Sequence, residues 1–199
     1  MSGMPPGFLP GLLPLAAFAF VTSVTPGPNN LMLLASGVNF GFRRTVPHML
    51  GISAGLAAMV LALGLGLWPV LASVPGITAA MRWLGAAWML WLAWRIARAG
   101  GPGEDGAAPA RPFGFLAAAA FQWVNPKAWA MVLSALATYG IGAGWMAAVF
   151  VVVGMPAIAL WAGFGVGLRR WLAEPGRRRW FNGAMAGLLV LSLVPFLAG

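Results

Sequence analysis

Long apolar runs alternate with short polar ones along the whole chain, and the apolar runs have membrane length. Allowing about 20 apolar residues per crossing predicts six spans. They run from about Phe8 to Gly37, Val46 to Leu71, Gly76 to Ile96, Phe113 to Tyr139, Trp145 to Leu168 and Phe181 to Ala198. The last is short, and five spans result if it only lies on the surface. A polar Gly/Pro-rich stretch, "AGGPGEDGAAPARP", separates the third run from the fourth. Two of the runs are interrupted midway: the first by "VTPGPNN", residues 24–30, and the fourth by "WVNPKAW", residues 123–129.

Both interruptions read as one helix ending and another starting. Thr25 or Asn125 can serve as an N-cap, its side-chain oxygen accepting from an orphan N–H. The proline that follows suits a first helical position, which needs no N–H. About 12 residues follow each break, roughly 18 Å of helix or half a bilayer. The blander reading is a proline kink whose freed backbone groups are satisfied by neighbouring helices. Span one would travel inward and span four outward, because an odd number of crossings separates them. The expected fold is therefore an all-α integral membrane protein, a single transporter domain over residues 1–199. It would hold two inverted three-helix repeats, about 1–99 and 113–199, with broken helices one and four and a cytoplasmic linker at about 99–112. Paired interruptions in corresponding positions of two halves point to a transporter's binding site. The candidate substrate-binding residues are Thr25, Pro26, Gly27, Pro28 and Asn29 at the first break, and Gln122, Asn125, Pro126 and Lys127 at the second. Half-helix N-termini carry free N–H groups and partial positive charge, and Lys127 adds a full one, a combination that suits a carboxylate. Asn29, Asn30 and Gln122 can equally act as hydrogen-bonding glue between helices.

Composition agrees with lipid as the solvent: 61% of residues are hydrophobic, 8% are charged, and mean hydropathy is +0.86. The formal charge of +9 does not mark a nucleic-acid surface, because the arginines punctuate apolar segments. Arg43 and Arg44 follow span one; Arg95, Arg98 and Arg111 surround the third connection; Arg169, Arg170, Arg177, Arg178 and Arg179 lie between spans five and six. Only Arg82 lies on the opposite side. The positive-inside rule then puts these three connections in the cytoplasm and both termini outside. Residues 1–42 carry no charged side chain, so the first run is expected to be a permanent span and not a signal peptide. The tryptophans read mostly as belt and packing residues.

Enzyme chemistry finds little support. The three acids, Glu104, Asp105 and Glu174, fall in expected loops, and there is one histidine and no cysteine. Neither a metal site nor a cofactor is expected. Ser134 and Lys127 would share a helix face about 10 Å apart, too far for a nucleophile and its base.

The stretches "TPGPNNLMLLASGVNFGFRRT", "LGISAG" and "WVNPKAW" resemble the lysine-exporter (LysE) superfamily in its homoserine/threonine-exporter (RhtB) branch. The resemblance extends over nearly the whole chain. It carries over the motif residues Pro26, Gly27, Pro28, Asn29, Asn125, Pro126 and Lys127, with Gly41, Gly51 and Gly55 beside them. It implies export of amino acids or close metabolites across the bacterial inner membrane, driven by an ion or proton gradient. Homoserine or threonine, neutral amino acids, and cysteine or O-acetylserine all stay open as substrates. The expected partners are a small-molecule substrate and the lipid bilayer, with no nucleic acid and with homo-oligomerisation open. An accessory subunit of a membrane complex is the alternative. Gly51, Gly55 and the "LGLGL" run are expected to let helices pack closely. Proton coupling would need a titratable group, and the spans contain no Asp or Glu. That leaves Lys127 first and His48 second, although His48, close to Arg43 and Arg44, reads more readily as an interfacial residue touching headgroups.

Overall fold

The computed structural model describes residues 8–99 and 112–194, and among them every regular element is helical. In chain order these are α1 (Phe8–Val24), α2 (Pro28–Phe40), α3 (Phe42–Gly64), α4 (Leu67–Ala72), α5 (Ile77–Ala97), α6 (Phe115–Gln122), α7 (Pro126–Tyr139), α8 (Ala143–Leu168) and α9 (Pro175–Leu191). A single 3₁₀ turn, Trp171–Ala173, precedes α9. Most of the expected linker, including Arg111, lies outside the described residues.

Both midway interruptions are breaks. The first bends α1 against α2 by 56°, and the second separates α6 from α7. Pro28 and Pro126 each stand in the first turn of the helix they open, where a missing N–H costs nothing. By length and composition α3 and α8 each suffice to cross a membrane, and α1 from Gly11 onward with α2 makes a third crossing if taken as one span. The outward side of α8 carries Val152, Leu160 and Phe164 in exposed positions, as a lipid-facing surface would.

Some helix limits differ from the sequence reading, for local reasons. The second span stops at Gly64 because Gly66 turns left-handed at φ 95°, and Leu67–Ala72 forms a separate short helix. The sixth helix starts at Pro175 instead of Phe181, so Arg177, Arg178 and Arg179 belong to its first turns and not to a loop. Pro175 at the helix start and the 2.9 Å Glu174–Arg177 ion pair account for the earlier start.

Helix α8 packs along both α1 and α2, while α3 packs along α6, α7 and α8. Glycine makes the closest crossings possible. A β-carbon on Gly37 of α2 would strike the backbone of Ala162, and one on Gly165 of α8 would strike that of Leu34. Gly51 and Gly55 do the same for α3 on α6: a β-carbon at Gly55 would lie 2.7 Å from Ala119 Cα. Gly51 and Gly55 have the packing role expected of them. Gly64 is similar, with Ala143 opposite, whereas Gly66 of the same run faces open space and serves the turn.

Two large apolar clusters result. One, around Leu33, Ile52, Met89, Phe121 and Ile158, joins α2, α3, α5, α6, α8 and α9. The other, around Leu15, Met59, Val132, Met146 and Phe150, joins α1, α3, α7 and α8. The breaks lie where these clusters meet.

Candidate functional site

A helix that stops inside an apolar environment leaves carbonyls without partners, and each must be satisfied locally. At the first break the Thr25 N–H returns to Val21 O at 3.0 Å. Asn30 Nδ2 donates to Ser23 O (2.8 Å) and Thr25 O (2.7 Å), and Trp161 Nε1 donates to Val24 O (3.0 Å). At the second break Trp129 Nε1 donates to Trp123 O at 2.8 Å. Asn125 is the N-cap of α7, its Oδ1 accepting from the Lys127 N–H at 3.2 Å. Thr25 is not the corresponding cap of α2. That place belongs to Gly27, with no side-chain cap, and the Thr25 hydroxyl instead donates back to Thr22 O at 3.0 Å.

Two ties cross between the breaks, which lie about a hundred residues apart in the chain. Asn29 and Gln122 exchange amide hydrogen bonds, Nδ2 to Oε1 at 2.9 Å and Nε2 to Oδ1 at 3.3 Å. Lys127 Nζ reaches into the first break, donating to Thr25 O (2.6 Å), Thr25 Oγ1 (3.0 Å) and Pro26 O (3.3 Å). Asn29 and Lys127 each follow the proline that opens their helix, so each half-helix sends its second side chain into the other's break. The sequence reading left the ammonium free to meet a carboxylate. It lies instead at the C-terminal end of α1, the negative pole of that helix, where a cation is stabilised.

Gly27 lets the lysine pass, since a β-carbon there would stand 2.8 Å from Lys127 Cδ. Its φ of −179° is extended and open to any residue, so the glycine answers to space and not to backbone strain.

A cavity of about 40 Å³, counted as space for the centre of a water molecule, lies against these ties. It has room for about three waters, less than the smallest hydroxy amino acid occupies. Of the sequence-derived candidates, Gly27, Asn29, Gln122, Asn125 and Lys127 line it. Thr25, Pro26, Pro28 and Pro126 shape the breaks without lining it. Sequence reasoning missed Ser23 of α1 and Ser53 of α3, two buried hydroxyls on the wall, and the apolar side formed by Ile52, Leu56, Met131, Phe150 and Ile158. No carboxylate is among the lining residues, and no group of three or more metal-ligating side chains occurs among the described residues.

His48 lacks the exposure that a residue touching headgroups would have. It is fully buried on α3, outside the cavity lining, with its ring edge-on to Phe113 at 5.1 Å. Its two ring nitrogens, like Trp88 Nε1 beside the same phenyl ring, have no hydrogen-bond partner among the described residues.

The broken helices, the paired motifs and the glycine-cushioned crossings accompany a match to the LysE-type translocator family over residues 20–198. The chain belongs to that family. Its members are translocators and not enzymes, and the protein is a membrane protein. Similar curated proteins are the cysteine/O-acetylserine efflux proteins of Salmonella choleraesuis and Salmonella typhimurium. Each is 36% identical over 123 residues, 61% of this chain and 62% of theirs, so those matches span about three fifths of the relatives' length. The protein of the same name from Escherichia coli K12 is 32% identical over 185 residues, 89% of this chain and 92% of the relative. No solved structure matches. The homoserine/threonine-exporter branch suggested by the motifs is consistent with these relatives.

Proposed function

We propose that this chain exports a small neutral amino acid or close derivative, of the cysteine or O-acetylserine type, from the bacterial cytoplasm. The observation that carries the reading is the cavity where two helix breaks meet, with Gly27 and Asn29 from one and Asn125 and Lys127 from the other. A lining with one cation and no anion favours a carboxylate and disfavours a second positive charge, which selects against basic amino acids. The substrate carboxylate takes Lys127 and the free N–H groups of the first turns of α2 and α7. Thr25, Pro26, Pro28 and Pro126 keep those turns open.

Six spans arranged as two inverted repeats form the scaffold. The helix partners support this: α8 lies along the first broken helix and α3 along the second, while α3 meets α8 and α5 meets α9. The arginines at the start of α3, the end of α5 and between α8 and α9 face the cytoplasm, so both termini are outside. Transport is driven by the proton gradient, with Lys127 as the coupling residue. The narrow cavity belongs to a contracted state, and substrate entry requires it to widen.

Purified protein in liposomes decides the matter. Counterflow of labelled cysteine, serine or threonine, absent from empty liposomes and weakened in Lys127→Ala, is the expected result. Protein that inserts correctly and moves none of them would make an accessory-subunit role the better reading.

A further inference from the structure

The polar groups on the cavity wall differ in how much of their hydrogen-bonding capacity is already used. The Thr22 hydroxyl donates to Phe18 O at 2.6 Å. The Asn30 amide holds the end of α1, Asn29 and Gln122 hold each other, Asn125 caps α7, and Lys127 is tied to Thr25 and Pro26. Two groups remain. The Ser23 hydroxyl makes no hydrogen bond among the described residues. Ser53 Oγ has only Met155 Sδ at 3.9 Å, a weak acceptor at the limit of contact. Both serines are buried, at 7% and 8% exposure, and both line the cavity, one from α1 and one from α3. A serine in a membrane helix ordinarily donates to the carbonyl a turn earlier, as Thr22 does. Space is also kept for one of them, because Gly154 of α8 faces Ser23 and a β-carbon there would stand 3.2 Å from its Oγ.

We infer that Ser23 and Ser53 determine specificity, their hydroxyls binding the polar atom on the substrate's own side chain. The inference rests on the export reading and adds which end of the substrate goes where. The charged head group meets the lysine–amide side, and the side chain points between the two serines, along Ile52 and Phe150. A hydroxyl both donates and accepts, so it serves an alcohol, a thiol or an ester oxygen. An aliphatic isostere would leave both hydroxyls buried and unpaired, and sites built this way reject such analogues. The preferred class is small neutral amino acids with oxygen or sulfur one carbon beyond Cβ or attached to it.

Counterflow into proteoliposomes with isosteric pairs tests this: threonine against valine, and serine or reduced cysteine against 2-aminobutyrate. The wild type should favour the polar member. Ser23→Ala and Ser53→Ala should each lower the polar-to-aliphatic ratio by roughly 2- to 10-fold, and Ser53→Thr, which keeps the hydroxyl, should restore much of it. Gly154→Ala, which crowds the Ser23 hydroxyl without removing it, should shift the ratio the same way and carries the test if the alanine variants fail to insert. An unchanged ratio in Ser23→Ala/Ser53→Ala, or a wild type that moves both members of each pair equally, overturns the inference and leaves export standing. A wild type that moves none of the probes overturns export itself, and the inference with it.

Discussion

Replacing Gly27 by alanine isolates the tie between the two breaks. The extended backbone at that position accepts alanine without strain, so any cost acts through the neighbours. The new β-carbon would stand 2.8 Å from Lys127 Cδ and 3.1 Å from Nζ. Carbon–carbon contacts settle at about 3.5–4.0 Å, so the lysine stem must retreat by about 1 Å. The Nζ bonds to Thr25 Oγ1 at 3.0 Å and Pro26 O at 3.3 Å then pass the usual limit for a hydrogen bond. A hydrogen bond to a charged group contributes about 1.5–3 kcal/mol. Thr25 and Pro26 are exposed, which favours the low end, so losing the two should cost about 3 kcal/mol together.

The 11 tryptophans give a fluorescence signal for unfolding by SDS in mixed micelles, and the informative design is a double-mutant cycle with Lys127→Met. If Gly27 exists to let the lysine pass, alanine should cost about 0.5 kcal/mol or less once the ammonium is gone. The same loss in both backgrounds would refute the reasoning and leave Gly27 with some other task.

Gly55→Ala should destabilise by about 1–3 kcal/mol in the same assay, since its β-carbon would meet Ala119 Cα at 2.7 Å and Gln122 Cγ at 2.9 Å. Gly163→Ala, with open space around it in the interior of α8, should be neutral or stabilise by up to about 1 kcal/mol. Asn182→Ala removes the donor to Ala99 O (2.6 Å) and the acceptor of Asn39 Nδ2 (3.1 Å). It should cost about 1–3 kcal/mol, read as a lower melting temperature in detergent. In the cysteine-free chain, a cysteine at Ser73 should react with an impermeant maleimide added to intact spheroplasts, and one at Glu174 only after permeabilisation. The opposite pattern would reverse the orientation.

The breaks were legible because Asn, Pro and Lys are chemical exceptions within apolar runs. Asn125 could even be assigned as a cap, since a cap is a local matter. Thr25 could not, because the chain offers a threonine, a proline and a glycine in a row and only the fold shows that α2 starts after the glycine. His48 was misread from its nearness to two arginines. The helical register held the better signal: Thr45, His48, Met49 and Ile52 recur at the spacing of one helix face, and all four are buried. The lysine's partners were out of reach of sequence, because they lie 101 and 102 residues away. Ser23 and Ser53 carried no signal at all, since a serine in a membrane helix usually spends its hydroxyl on its own backbone. What distinguishes them is the absence of that bond, which only the folded arrangement reveals.

Lys127→Arg separates binding from coupling at the second break. An ammonium has three protons, and Thr25 O, Thr25 Oγ1 and Pro26 O take all three. A substrate carboxylate can therefore reach Nζ only by displacing a bond that ties the two breaks together. If the substrate carboxylate takes Lys127 as proposed, binding and loosening of the tie become one event, which is what a carrier needs if substrate is to open the cavity that receives it. Arginine keeps the positive charge and offers more donors, so it can hold both the first break and a carboxylate, but it does not lose its proton in any working range. With Lys127 as the coupling residue, the variant should retain counterflow at equal pH on both sides and lose uphill accumulation driven by a pH gradient. Accumulation at near wild-type levels would make the lysine a fixed anchor, its proton taking no part in the cycle, and coupling would have to be sought elsewhere, with His48 the next candidate.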